Sequence, residues 1–140
     1  MYNELIYLDN TSNGVVELKV ALARPEDKGN LYKHSESCIQ LGSCFACSFI
    51  SSAMVSELHL VPECLETIDT AFGKYDLYVY LVDVIFYGNG TTTLHKIKFH
   101  QCDAMLRGVD AILGMNALKD IDFAISKDSK GHCYTSIKIE

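Results

Sequence analysis

The stretch that most restricts the fold is Val109-Asp110-Ala111-Ile112-Leu113-Gly114-Met115-Asn116-Ala117-Leu118, followed by Lys119-Asp120-Ile121-Asp122-Phe123-Ala124-Ile125. It reads as a buried strand, a glycine, one short helical turn and a second apolar strand. A glycine after a branched apolar pair lets another backbone pass close beneath it, because no Cβ stands in the way. Whatever lies across from Gly114 therefore governs the rest of the reading.

The remaining chain punctuates itself at strand spacing. Residues 4–8 form a first strand, and Val15 to Ala23 alternates as a second, with Val16, Leu18 and Val20 on one face. Cys38 to Leu41 and Ser48 to Ser51 flank a small-residue loop, Gly42-Ser43-Cys44-Phe45-Ala46-Cys47. Ser51 or Ser52 caps a short helix over Ala53 to Leu58, ended by His59-Leu60-Val61-Pro62. Leu65 to Ala71 and the long run from Tyr75 to Phe86 flank a turn at Phe72-Gly73-Lys74. Tyr87-Gly88-Asn89-Gly90 is a hairpin signal answered by Thr91 to Phe99, with Ile97 and Phe99 on one face and Leu94 on the other. A last strand covers Cys133 to Ile139. About eight or nine strands, recurring every eight to twelve residues, indicate a small barrel or sandwich rather than alternating β-α units.

Composition narrows the class. The 140 residues, 49% hydrophobic and 21% charged, suit one globular domain spanning residues 1–140. The net charge of -6 and the lack of a basic run argue against nucleic acid, since an acidic chain repels phosphate backbones. No apolar stretch is long enough to span a bilayer, and Met1-Tyr2-Asn3-Glu4 does not read as a signal peptide. A cytoplasmic location is expected, including that of an infected host cell. Six cysteines in a reducing compartment are expected as thiols or ligands rather than bridges.

In order along the chain, Ser48-Phe49-Ile50-Ser51, Leu58-His59-Leu60-Val61-Pro62, Thr70-Ala71-Phe72-Gly73, Asp110-Ala111-Ile112-Leu113-Gly114-Met115-Asn116 and Asp122-Phe123-Ala124-Ile125 resemble the successive stations of the retropepsin-like aspartic peptidases. The resemblance covers about residues 37 to 125. It implies an all-β, small closed barrel with a flap-like hairpin, a short helix near Asn116 to Lys119 and a second near Ser52 to Leu58. It makes Ile112, Leu113 and Gly114 the support of a catalytic loop. Counting back from Ser48, the family's Asp-Thr-Gly falls on Gly42-Ser43-Cys44. Aspartic peptidases need two carboxylates sharing a proton. In dimeric members each chain supplies one, so glycine at position 42 implies a degenerate catalytic loop. Asp69-Thr70-Ala71 looks superficially like the missing motif. However, only 45 residues (114 − 69) separate it from Gly114, against 72 (114 − 42) for Gly42. A solvent-facing strand residue is the preferred reading of Asp69.

Other constellations carry weaker chemistry. His34, Cys38, Cys44 and Cys47 are zinc-ligand types, but their spacing is compact and lacks a second Cys-x2-Cys. Core or loop thiols are preferred there, and no cofactor is expected. Alternation puts His100 and Cys102 on one strand face and His95 on the other, which suits surface residues better than a shared ion. Tyr78 and Tyr80 fall on one face of the flap-like hairpin and are the candidate binding surface. The expectation is a non-catalytic protein-binding or assembly module, of which a small phage-type inhibitor of a host protein would be one instance. The alternatives are an active peptidase using Asp69 or another carboxylate, and a zinc-stabilised interaction domain. A homodimer paired through Tyr2 to Leu8 and Tyr134 to Ile139 is the default partner.

Overall fold

Alternating apolar runs separated by turn residues become ten strands and two short α-helices among the described residues. They are β1 (Glu4–Asp9), β2 (Glu17–Ala23), β3 (His34–Leu41), β4 (Ser48–Ile50), α1 (Ser52–Glu57), β5 (Cys64–Thr70), β6 (Gly73–Tyr87), β7 (Thr91–Gln101), β8 (Ala111–Leu113), α2 (Met115–Leu118), β9 (Ile121–Lys127) and β10 (Cys133–Ile139). The computed structural model describes residues 4–9, 17–27, 34–42, 45–71, 73–127, 129–131 and 133–139, without the side chains of 4–9, 34, 35, 133 and 139.

The larger sheet runs β2-β3-β8-β4-β7-β6-β5, and β6 returns to β2 through Ala21↔Ile85 and Ala23↔Asp83. Six strands thus close into a barrel. Closure depends on the length of β6. Up to Val79 one of its edges is taken by β5, and from Asp83 to Ile85 β2 takes its place. The β5–β6 hairpin consequently extends past the barrel as an arm whose outer strand pairs with β6 alone among the described strands. Leu18, Val20, Leu22, Ile50, Val82, Phe86 and Phe99 fill the interior.

The short β8 lies between β3, which it joins in parallel, and β4, which it meets antiparallel. All three of its residues are buried, as a central strand with cover on both faces requires. Asp110, just ahead of it, accepts from the Cys38 N–H through its carboxylate (2.8 Å), while its own N–H donates to the Cys38 carbonyl (2.8 Å). Ser51 caps α1, its hydroxyl accepting from the Met54 N–H (3.1 Å). The second sheet, β1-β10-β9, sends Ile121 and Ile137 into the same core as the barrel.

Several expectations are corrected. Leu94 does not oppose Ile97 and Phe99 but packs in the same core. A bulge explains this: Val82↔Ile97 and Val84↔Leu94 span two residues on β6 and three on β7. Lys96 takes φ 53°, and the buried Asp83 carboxylate accepts its N–H (2.8 Å), with His95 Nδ1 3.2 Å away. His100 is no surface residue, because its side chain is only 3% exposed. The two terminal strands that were expected to pair across a two-fold axis pair with each other inside one chain, Leu5↔Lys138 and Tyr7↔Ser136 among the partners.

Candidate functional site

The chain leaves β3 at Leu41, crosses the end of β8 and returns as β4. Gly42 begins that crossing, with its N–H donating to the Leu113 carbonyl (2.9 Å) and its carbonyl accepting from the Phe45 N–H (3.0 Å). Ser43 and Cys44 lie outside the described residues. The Phe45–Cys47 backbone then passes directly over Gly114. An ideal Cβ there would stand 2.1 Å from the Cys47 carbonyl oxygen and 3.0 Å from that of Phe45. With the space empty, the Met115 and Asn116 N–H groups reach the Phe45 and Ala46 carbonyls (2.8 and 3.1 Å). Ser48 completes the clamp: its hydroxyl accepts from the Gly114 N–H (2.9 Å) and donates to Asn116 Oδ1 (2.6 Å). Asn116 Nδ2 in turn donates to the Lys98 carbonyl (3.0 Å). Ile112, Leu113 and Gly114 are thus packed and bonded beneath the loop that begins at Gly42.

Position 42 itself has no room. An ideal Cβ would lie 2.6 Å from Ile112 Cγ2 and 2.7 Å from Phe45 Cδ2. Both neighbours are side chains, one of them in the fully covered β8. A side chain of any kind requires that packing to shift.

Beside the loop lies a cavity of about 510 Å³, walled by Phe45 and Phe49 on one side, Ile68 and Asp69 of the arm on another, and Met105 and Arg107 on a third. Phe45 and Phe49 meet edge to face, ring centroids 6.0 Å apart. Asp69 sits on the arm, its side chain 79% exposed and 4.0 Å from Lys74 across the hairpin. It faces the cavity from the hairpin, not from the loop after β3. Met105 and Arg107 were missed by the sequence reading, and nothing in their neighbourhood marks them, because they reach the cavity from an irregular segment.

The tyrosine pair separates. Tyr78, on the arm, is 53% exposed, whereas Tyr80, where β6 has joined the barrel, is 4% exposed and bonds Gln101 Oε1 (2.9 Å). Burial raises the Tyr80 pKa, with a further push from Tyr78. Of the zinc-type residues, Cys38 is on β3 with its thiol 3.8 Å from Glu17 Oε2, and Cys47 is in the loop over Gly114. The His34 side chain and Cys44 lie outside the described residues. Among the described residues no three His, Cys, Asp or Glu side chains gather as a metal site.

A cluster the sequence reading did not assemble lies one strand away. Glu66 on β5 accepts from Lys98 Nζ (2.6 Å) and bonds His100 Nε2 (2.9 Å), both on β7. Lys98 first, then His100, hold the Glu66 carboxyl below its ordinary range. Alternation was the available signal, since paired positions Glu66↔Leu77, Val79↔His100 and Leu81↔Lys98 share one face.

No family model and no curated protein matches this chain. Among solved structures it is similar to the crystal structure of a retropepsin-like aspartic protease from Rickettsia conorii, at 11% identity and a TM-score of 0.57, covering 99% of this chain and 95% of that one. At that identity the likeness speaks for the fold and not for the chemistry. Barrel, arm, crossing loop and glycine support together give this chain the retropepsin-like fold.

Proposed function

We propose that the chain is a non-catalytic retropepsin-like module that binds a segment of another protein in the cavity beside the Gly42 loop. The observation that carries this reading is the packing at position 42. Where the family resemblance calls for a carboxylate, the chain has a glycine whose added Cβ would fall 2.6 Å from Ile112 Cγ2 and 2.7 Å from Phe45 Cδ2, so a side chain there requires both to shift. Two carboxylates sharing a proton are the basis of the aspartic-peptidase reaction, and the loop supplies none at that point. The cavity supports binding. Its walls are aromatic and aliphatic apart from Arg107, Asp69 and a few small polar groups, a composition that suits an apolar side-chain anchor.

The partner for assembly is a second copy. β9 pairs with β10 alone among the described strands and exposes Phe123 and Ile125 on one face. An antiparallel pairing of two β9 strands about Ala124 sets Phe123 of each copy opposite Ile125 of the other.

The test incubates the purified chain with a mixed peptide library from acid to neutral pH, with mass spectrometry reading both cleavage and retention. The expected result is retention without new termini, lost on Phe49→Asp. Pepstatin-sensitive cleavage abolished by Asp69→Asn would overturn the proposal. That outcome would establish the second reading, which the position of Asp69 on the cavity wall favours: an active peptidase using the arm's carboxylate.

A further inference from the structure

The β5–β6 arm is weakly anchored by apolar contact. No residue of β5 is buried, and among the described strands its ladder runs to β6 alone. The Thr67–Asp76 bond and the Asp69–Lys74 pair stay within the hairpin. Glu66 is different. Its carboxylate crosses the face of β6 and reaches two cationic-type side chains of β7, 32 and 34 residues away in sequence.

His100 makes this more than a surface pair. Its ring is packed beside Phe49, centroids 6.3 Å apart, and is all but removed from solvent. Among the described residues its Nδ1 has no hydrogen-bond partner, so the bond from Nε2 to Glu66 is what satisfies the imidazole there. A buried ring that loses its bonded partner meets a desolvation cost that an exposed lysine does not. Phe49 is also a wall of the cavity, and Ile68, another wall, follows Glu66 on the same face of β5. One carboxylate thus joins the arm, the barrel and the cavity lining.

We propose that Glu66 is the latch of the arm: gripping Lys98 and His100, it holds β5 and β6 down beside the cavity, and protonation of its carboxylate lets the arm lift. The inference stands apart from what the cavity binds, since it concerns the arm's opening in the unliganded chain. The titratable groups around the latch are Lys98 and His100 on β7, Cys64 on β5 and Cys47 in the crossing loop, the two thiols lying close enough to act on Lys98. β6 contributes Leu77 and Val79 to that face. Because its partners depress the Glu66 pKa, the latch is closed above the ordinary glutamate range and is lost as pH falls through and below it.

Hydrogen–deuterium exchange of the whole chain tests this, comparing wild type with Glu66→Gln and Lys98→Met. Lys98 is half exposed, so its replacement preserves the fold and keeps the test decisive if Glu66→Gln does not fold. At about pH 7 both variants are expected to exchange amides of residues 64–78 about threefold faster than wild type, the scale of one partly exposed charge pair, with β2 and β3 unchanged. At a pH well below the ordinary glutamate range, low enough to protonate the depressed carboxyl, wild type and Glu66→Gln are expected to exchange the arm alike, since both then carry a neutral group. Variants that match wild type at neutral pH, or that accelerate β2 and β3 as much as the arm, overturn the latch.

Discussion

Replacing Gly114 by alanine is the sharpest test of how the crossing loop is held. The glycine's φ is -90°, open to any residue, so the substitution brings no backbone strain of its own. Its whole effect is contact. The new methyl would stand 2.1 Å from the Cys47 carbonyl oxygen and 2.6 Å from its carbon, and both are main-chain atoms that no rotamer change can move. Relief needs the loop to lift by about 1 Å, given that carbon–oxygen contacts settle near 3.4 Å. That displacement stretches the bonds from Met115 to Phe45 and from Asn116 to Ala46, now 2.8 and 3.1 Å. At about 1 kcal/mol net for each bond, plus about 1–3 kcal/mol for overpacking, the expected loss is about 3–5 kcal/mol. Against a typical total of about 5–15 kcal/mol, that is a large share of the stability. Urea unfolding followed by far-ultraviolet circular dichroism suits a chain without tryptophan and should show a lowered midpoint at unchanged slope. Gly108→Ala is the control. Its φ is +77° and nothing lies within 4 Å of the added methyl, so it should cost about 1 kcal/mol from conformation alone. A Gly114→Ala loss no larger than that of Gly108→Ala would refute the close approach.

Ser48→Ala removes the group that accepts from the Gly114 N–H and donates to Asn116, leaving a buried donor without a partner. A loss of about 2 kcal/mol is expected in the same unfolding assay, with strong coupling to Asn116→Ala in a double-mutant cycle. The Tyr87 hydroxyl is bonded to Glu36, and burial with that carboxylate pushes its pKa up to about 12. Its folded pKa therefore lies above the unfolded value near 10, so the stabilisation is complete below that value and fades as pH rises toward 12. Spectrophotometric titration should show a tyrosine ionising near pH 12, beyond the smaller rise at Tyr80, and Tyr87→Phe should remove that last step. Ile125→Lys, at a residue 51% exposed on β9, should leave the fold intact and shift light scattering from dimer to monomer; a wild-type monomer at high concentration would refute pairing through that strand.

Much of the architecture was legible because it depends on local rules. The glycine at 114, the turn at Gly88-Asn89-Gly90 and the serine cap of α1 are short-range signals, and each sits where the sequence reading placed it. Leu94 was misplaced because a strict two-residue period cannot register a bulge, and the bulge depends on Asp83 reaching across from β6. Tyr80 and His100 read as surface residues in the sequence because alternation reports which face a side chain takes, not what covers that face. Sequence alone determined that position 42 carries no carboxylate and that a backbone can pass over Gly114. Only the tertiary structure decided that Gly42 has no space for a side chain, and that Glu66 meets Lys98 and His100. Both depend on atoms brought together from strands tens of residues apart, which no local pattern encodes.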